Sequence, residues 1–225
     1  MAKISLYHGS SAVVSKPIYR KGRTYNDFGQ GFYCTKQIEL AKEWACTEGQ
    51  DGYVNEYEID LDGLQVLRIS EEAYAVLHWL ALLLEYRNLR IGTSGMRRAV
   101  EWLQEHFSQD ISWYDVIVGY RADDSYFSFV RSFLNNEIPL EQLSNAMRQG
   151  KDMEQIVLKS NRAFSKIKYC GYSTVDAAEY YVKRKNRDEE ARRAFLEKAG
   201  RENAGEVYIK DLIRGEVSVD DLRLR

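Results

Sequence analysis

The chain opens in period two. In "KISLYHG", Ile4, Leu6 and His8 alternate with Lys3, Ser5 and Tyr7, which predicts a half-buried strand ending at Gly9. Residues 11–26 break that pattern and carry Pro17, Gly22 and Asn26, so they read as a loop. "GFYCT" predicts a second short strand. "KQIELAKEWAC" predicts a helix, because Ile38, Ala41 and Ala45, with Leu40 and Trp44, recur at helical spacing. "YVNEYEIDLDGLQVLRI" then predicts two strands, Tyr53–Ile59 and Leu64–Ile69, joined by the turn signal Asp62-Gly63.

The period lengthens beyond that point. Residues 71–90 and 96–107 predict helices, with Gly92, Ser94 and Gly95 punctuating between them. "YDVIVGY", residues 114–120, is a continuous apolar strand core. A helical stretch follows to residue 135, and another, led by Pro139, runs to a stop at Gly150. "EQIVLKS" predicts one more strand, and residues 174–201 a long charged helix whose "KRKNRDEEARR" reads as i,i+4 ion pairing on a wet face. Strands come first and last with helices grouped between them. That order is α+β and argues against a doubly wound nucleotide-binding sheet.

Composition narrows the classes. At 225 residues, 44% hydrophobic and 29% charged, the chain can bury a sizeable core. Its formal net charge of −2 argues against nonspecific binding to nucleic acid or anionic membrane. The acidic excess lies before residue 160 and a basic excess after it. Cys34, Cys46 and Cys170 have neither CxxC spacing nor a nearby His, so no zinc site or disulfide framework is indicated. The N-terminus has no secretory h-region, and the apolar run from Ala73 to Leu84 is too short to span a bilayer. A cytoplasmic protein with no metal and no membrane partner is expected.

Three spots carry candidate chemistry: "YHGS" at 7–10, "DFGQGFYCT" at 27–35 with Trp44 beyond it, and "EQIVLKS" at 154–160. Singly, each reads as well as packing or a turn. Together, in this order, they resemble the ADP-ribosyltransferases of the diphtheria-toxin and poly(ADP-ribose) polymerase type, the His-Tyr-Glu branch. More narrowly, "LYHGSSAVVSKP", "NDFGQGFYCTKQIELAKEWA", "YDVIVGYRADDSYF" and "EQIVLKSNRAF" resemble the DUF3990 family placed in that superfamily.

The resemblance implies split antiparallel sheets over residues 1–168 and a charged helical extension over 169–225. It also implies NAD⁺ as substrate. His8 would bind the adenosine-side ribose, the Gly9 peptide would read the nicotinamide carboxamide, and Ser10 would add a hydroxyl. Tyr33 would stack on nicotinamide with Trp44 as the second wall, unless Trp44 is helix packing. Arg23, Phe28, Gly31 and Thr35 complete the implied cofactor contacts. Arg20, Lys21 and Arg23 form a basic loop suited to a pyrophosphate or an anionic acceptor, or simply solvated.

The position of the usual catalytic glutamate aligns with Gln155, with Glu154 one residue earlier on the opposite face. An amide can hydrogen-bond a ribose hydroxyl, but it cannot stabilise a cation or take a proton as a carboxylate does. Asp27 or the pair Asp123-Asp124 would then supply the carboxylate; the plainer readings are a turn former and a helix N-cap cluster. The implied activity is transfer of ADP-ribose from NAD⁺ to a protein or nucleic-acid acceptor, in a bacterial toxin or phage-defence effector with a neutralising partner. A catalytically degenerate NAD⁺ or ADP-ribose binder, a nucleic-acid modifier and a non-enzymatic adaptor are the alternatives.

Overall fold

A computed structural model describes residues 3–71, 73, 75–122, 124–149, 154–198, 205–221 and 224. Their elements run β1 (Lys3–Ser10), β2 (Phe32–Cys34), α1 (Ile38–Ala45), β3 (Gly52–Asp60), β4 (Val66–Arg68), α2 (Ala75–Tyr86), α3 (Ser94–Phe107), β5 (Val116–Tyr120), α4 (Asp124–Leu134), α5 (Leu140–Gln149), β6 (Glu154–Leu158), α6 (Asn161–Lys166), β7 (Ile167–Val175), α7 (Ala177–Lys198) and α8 (Ile209–Ile213). A single 3₁₀ turn, Ile69–Glu71, precedes α2. The class is α+β, as the order of patterns predicts.

The strands divide into two sheets, one ordered β1-β3-β7 and the other β2-β6-β5-β4. The first is antiparallel throughout, but in the second β4 runs parallel to β5, which the expected all-antiparallel arrangement does not contain. Nor do Asp62 and Gly63 close a hairpin. Their turn carries the chain from β3 in one sheet to β4 in the other. There the Gln65 carbonyl accepts the N–H groups of Asp115 and Val116 at 2.9 and 3.1 Å, holding β4 beside β5.

Alternation explains the layers. Leu6, Tyr57 and Ile59 of the first sheet meet Cys34, Val116, Val118, Ile156 and Leu158 of the second across a shared core. The opposite face of the second sheet presents Ile117 and Val157 to α2–α5. In α2 the apolar run from Val76 to Leu83 is buried nearly all round except at His78, as expected of a helix inside a core. Each Leu buried there stabilises the fold by roughly 1.5–3 kcal/mol. Trp79 satisfies its indole N–H on the Tyr120 carbonyl at 3.1 Å. On the outer face of the first sheet, Ala41 and Ala45 of α1 pack with Val54, Val175 and Tyr180.

Three elements differ from the sequence reading. The division at residue 168 falls inside β7, which pairs along β3 from Ile59 to Gly52, so the chain after 168 continues a sheet before α7 begins. The short helices α6 and α8 also go beyond the predicted elements. Asp123, Gly150 and Arg201 lie outside the described residues.

The loop between β1 and β2 is clamped at both ends. Asn55, fully buried on β3, donates to the carbonyls of His8 and Ala12 at 3.3 Å and accepts the Val14 N–H at 2.7 Å. Gln30 donates to the carbonyls of Arg20 and Gly22 at 2.7 and 2.9 Å.

Candidate functional site

β1 and β2 belong to different sheets, and one backbone bridge links them. Tyr7 and Thr35 exchange hydrogen bonds of 2.8 and 2.9 Å. Along a strand, successive residues direct their N–H and C=O to alternate sides. Tyr7 spends both groups on Thr35, so Gly9 directs its own pair the same way, away from β3. Tyr33, two residues before Thr35, faces back toward it. The sheets part beyond the bridge, and among the described residues nothing bonds the Gly9 N–H, the Gly9 C=O or the Tyr33 N–H.

His8 occupies part of the gap. Its Nδ1 donates to the Tyr33 carbonyl at 2.7 Å, and its ring lies 4.5 Å from that of Phe32. A carbonyl partner fixes the proton on Nδ1 and leaves Nε2 an acceptor. Burial lowers the imidazole pKa below its ordinary 6.5, so the ring is neutral.

Gly9 is a glycine because α1 crosses it. A Cβ there would lie 1.9 Å from the Ala41 carbonyl oxygen and 2.9 Å from the Trp44 Cβ. This contact seats Trp44 beside the gap, half-buried. Its indole N–H is buried without a partner among the described residues, and the Arg121 guanidinium lies 4.3 Å from its ring centre. Trp44 therefore carries a cation against its ring and is not a bare aromatic wall.

Tyr33 holds the preceding turn. Its hydroxyl donates to the Gly29 carbonyl at 2.6 Å and accepts the Phe28 N–H at 3.1 Å. Gly29 sits at φ 70°, where its freedom is needed. Burial pushes the Tyr33 phenol well above its usual range, so it stays protonated.

Asp27 and Gln155 come together, though they lie far apart in the chain. Gln155 is 3% exposed, and its Nε2 donates to Asp27 Oδ2 and to the Tyr120 carbonyl, both at 2.9 Å. Asp27 Oδ2 also accepts the Ala122 N–H at 2.9 Å, and Arg87 Nε lies 3.5 Å from Oδ1. Burial raises the Asp27 carboxyl above its ordinary range, against the pull of the Ala122 N–H, Arg87, Gln155 and Arg121. A carboxylate in this state binds a proton more readily than a free aspartate.

Residues 4–169 match the model of a family described as proteins of unknown function, DUF3990. This chain belongs to the DUF3990 family. Neither a curated protein nor a solved structure matches it significantly. The DUF3990 segment spans β1 to the start of β7 and contains each of the residues just described.

Other members of the predicted set sit elsewhere in the DUF3990 segment. Phe28 is 0% exposed and fills the space above Gly119, where a Cβ would meet its Cζ at 2.9 Å, so the ring packs in the core. Thr35 is buried too; its hydroxyl accepts the Gln37 N–H at 3.1 Å at the entry to α1. Ser10 donates to the Ala12 carbonyl at 2.5 Å and accepts from Asn55, which makes it part of the loop clamp. Gly31 packs on β6, where a Cβ would lie 2.5 Å from Val157 Cγ1. Arg23 is exposed, 5.9 Å from the Tyr25 ring. Glu154 accepts the Ser70 hydroxyl at 3.0 Å, away from Asp27. Asp124 begins α4, and its side chain lies outside the described residues.

Arg87, Arg121 and Tyr120 join the site without having been predicted. The available signal was local: Arg87 directly follows α2, three residues past its apolar run, and Arg121 directly follows the buried "VIVGY" strand. Among the described residues no group of His, Cys, Asp and Glu could hold a metal ion, and no helix is long and apolar enough to cross a membrane.

Proposed function

We propose that this protein transfers ADP-ribose from NAD⁺ to a macromolecular acceptor and releases nicotinamide. The reading rests on the resemblance of its three motifs to the ADP-ribosyltransferases and on one observation, the open Gly9 peptide facing Tyr33. A peptide N–H and C=O side by side match the carbonyl and NH₂ of a carboxamide, donor to acceptor and acceptor to donor. His8 Nε2 offers an acceptor to a ribose hydroxyl. In the reaction the bond between the ribose C1′ and the nicotinamide nitrogen breaks, and nicotinamide leaves with the electron pair. The acceptor heteroatom bonds to C1′, and Asp27 takes its proton. The biological setting we propose is a bacterial effector restrained by a neutralising partner.

Labelled NAD⁺ incubated with cell lysate, then fractionated into protein and nucleic acid, tests the activity. Label entering either fraction, and absent with Tyr33→Ala, supports transfer. The second reading is an NAD⁺-binding module without transferase activity, favoured by the burial of Gln155 and the commitment of both its N–H donors. It predicts calorimetric binding of NAD⁺, lost in His8→Ala, with no nicotinamide released in any lysate.

A further inference from the structure

A cavity of about 250 Å³ lies where the loop before β2 meets the end of β6. The rings of Tyr19, Tyr86 and Phe164 wall it. Two cations, Arg20 and Lys159, line it, and among the described residues no carboxylate does.

Lys159 is poorly compensated there. Its ammonium donates to the Phe28 carbonyl and lies 5.5 Å from the centre of the Tyr86 ring. Its remaining N–H groups have no partner among the described residues. Burial pushes the amine down to about 8; Glu85, an exposed residue outside the lining, opposes this only in part. An anion entering the cavity supplies what the fold withholds.

Arg20 sits at the rim in a conformation that ordinary residues seldom hold, φ 61°. Gln30 pins it through the Arg20 and Gly22 carbonyls. Gly22 in turn is pressed against β2's entry, where a Cβ would lie 2.4 Å from the Gly31 carbonyl oxygen. The loop thus presents a cation at a fixed place, at a local cost in backbone strain.

Two cations attract an anion, and the three rings add apolar surface for a flat one, with Arg20 5.2 Å from the Tyr19 ring centre and Phe164 edge-on to Tyr19 at 5.6 Å. The volume is just under the roughly 300 Å³ at which pockets for drug-sized ligands begin, room for one heterocycle with its phosphate but not for a dinucleotide. We propose that this cavity binds a mononucleotide, free or at the end of a single strand, with Arg20 and Lys159 on its phosphate. The proposal does not depend on the activity at Gly9 and Tyr33, since none of His8, Gly9 or Tyr33 lines the cavity.

Calorimetry of the full chain with adenosine monophosphate tests it. Binding is expected, weakened at least tenfold by Lys159→Met and by Arg20→Ala and unchanged by His8→Ala, whose failure instead affects the NAD⁺ reading. Affinity should fall as the pH rises past 8 in the wild type and stay level in Lys159→Met. Arg20 is exposed, so its variant keeps the test valid if Lys159→Met does not fold. A phosphorylated single-stranded oligonucleotide binding tenfold tighter than the mononucleotide identifies a strand end as the ligand; equal affinity identifies the free nucleotide. No binding by the wild type, equal affinity in both cavity variants, or inorganic phosphate competing as well as the nucleotide overturns the proposal.

Discussion

The gap at Gly9 and the node at Asp27 adjoin the same strand, β2, but are finished in opposite ways. At the gap, the Gly9 N–H and C=O and the Tyr33 N–H have no partner among the described residues. At the node, Gln155 has committed both N–H donors and Asp27 Oδ2 holds two donors of its own. Open peptide groups gain free energy when a ligand arrives, whereas a satisfied buried pair must lose bonds worth about 1–3 kcal/mol to act on anything new. In the proposed reaction the binding half is therefore ready, and the proton-accepting half must rearrange.

The largest blow to this contrast is Gly9→Val. With the α1 backbone 1.9 Å from the new Cβ, the helix must shift, and a loss of about 3 kcal/mol in denaturant unfolding is expected along with NAD⁺ binding. Unchanged stability would mean that α1 is not seated on β1 in this way. Next is Tyr33→Phe, which strips the hydroxyl from the Gly29 carbonyl and Phe28 N–H at a cost of about 2 kcal/mol while keeping the ring. If NAD⁺ affinity follows stability downward, the turn at 27–31 shapes the binding half; if affinity holds, the ring alone suffices.

Gln155→Glu probes the node by charge. The new carboxyl would meet Asp27, whose folded pKa already lies above its unfolded 3.8. A raised carboxyl contributes stability below the unfolded value and loses it as the pH climbs through the folded one. The variant should thus be close to wild type near pH 4 and about 2 kcal/mol weaker at pH 8. A deficit independent of pH would show that the two groups do not share a site. The smallest effect belongs to His8. Its folded pKa lies below 6.5, so its contribution is present above that value and lost as the pH falls through the depressed one. His8→Gln should flatten the acid limb of a thermal-unfolding profile by about 1 kcal/mol.

The same contrast explains what could be read in advance. β1, β5 and α2 announce themselves because each buries a regular stripe or run, and His8, Gly9 and Tyr33 sit within such patterned segments. β7 does not. Its inner residues are only half-buried before Val175, Gly171 and Ser173 interrupt the pattern, and Thr174, counted by sequence with the following helix, pairs with Tyr53 of β3. The role of Gly9 as the crossing point of α1 is equally silent in one dimension, since only Ala41 and Trp44 in space make a side chain impossible there. Asp27 and Gln155 were visible as separate candidates. Their contact was not, because Tyr120, Ala122 and Arg87, which complete it, come from two further segments.

The twin clamps on the β1–β2 loop bear on how such a protein diversifies. Asn55 fixes the departure at residues 12–14, and Gln30 fixes the return at 20–22. Chain inserted between those anchors adds closure entropy only logarithmically, about 0.6 kcal/mol for each doubling of length. Relatives can therefore lengthen, shorten or recharge that stretch with the sheets undisturbed. The interval between two amide side chains is where length and charge can vary without having to refound the fold.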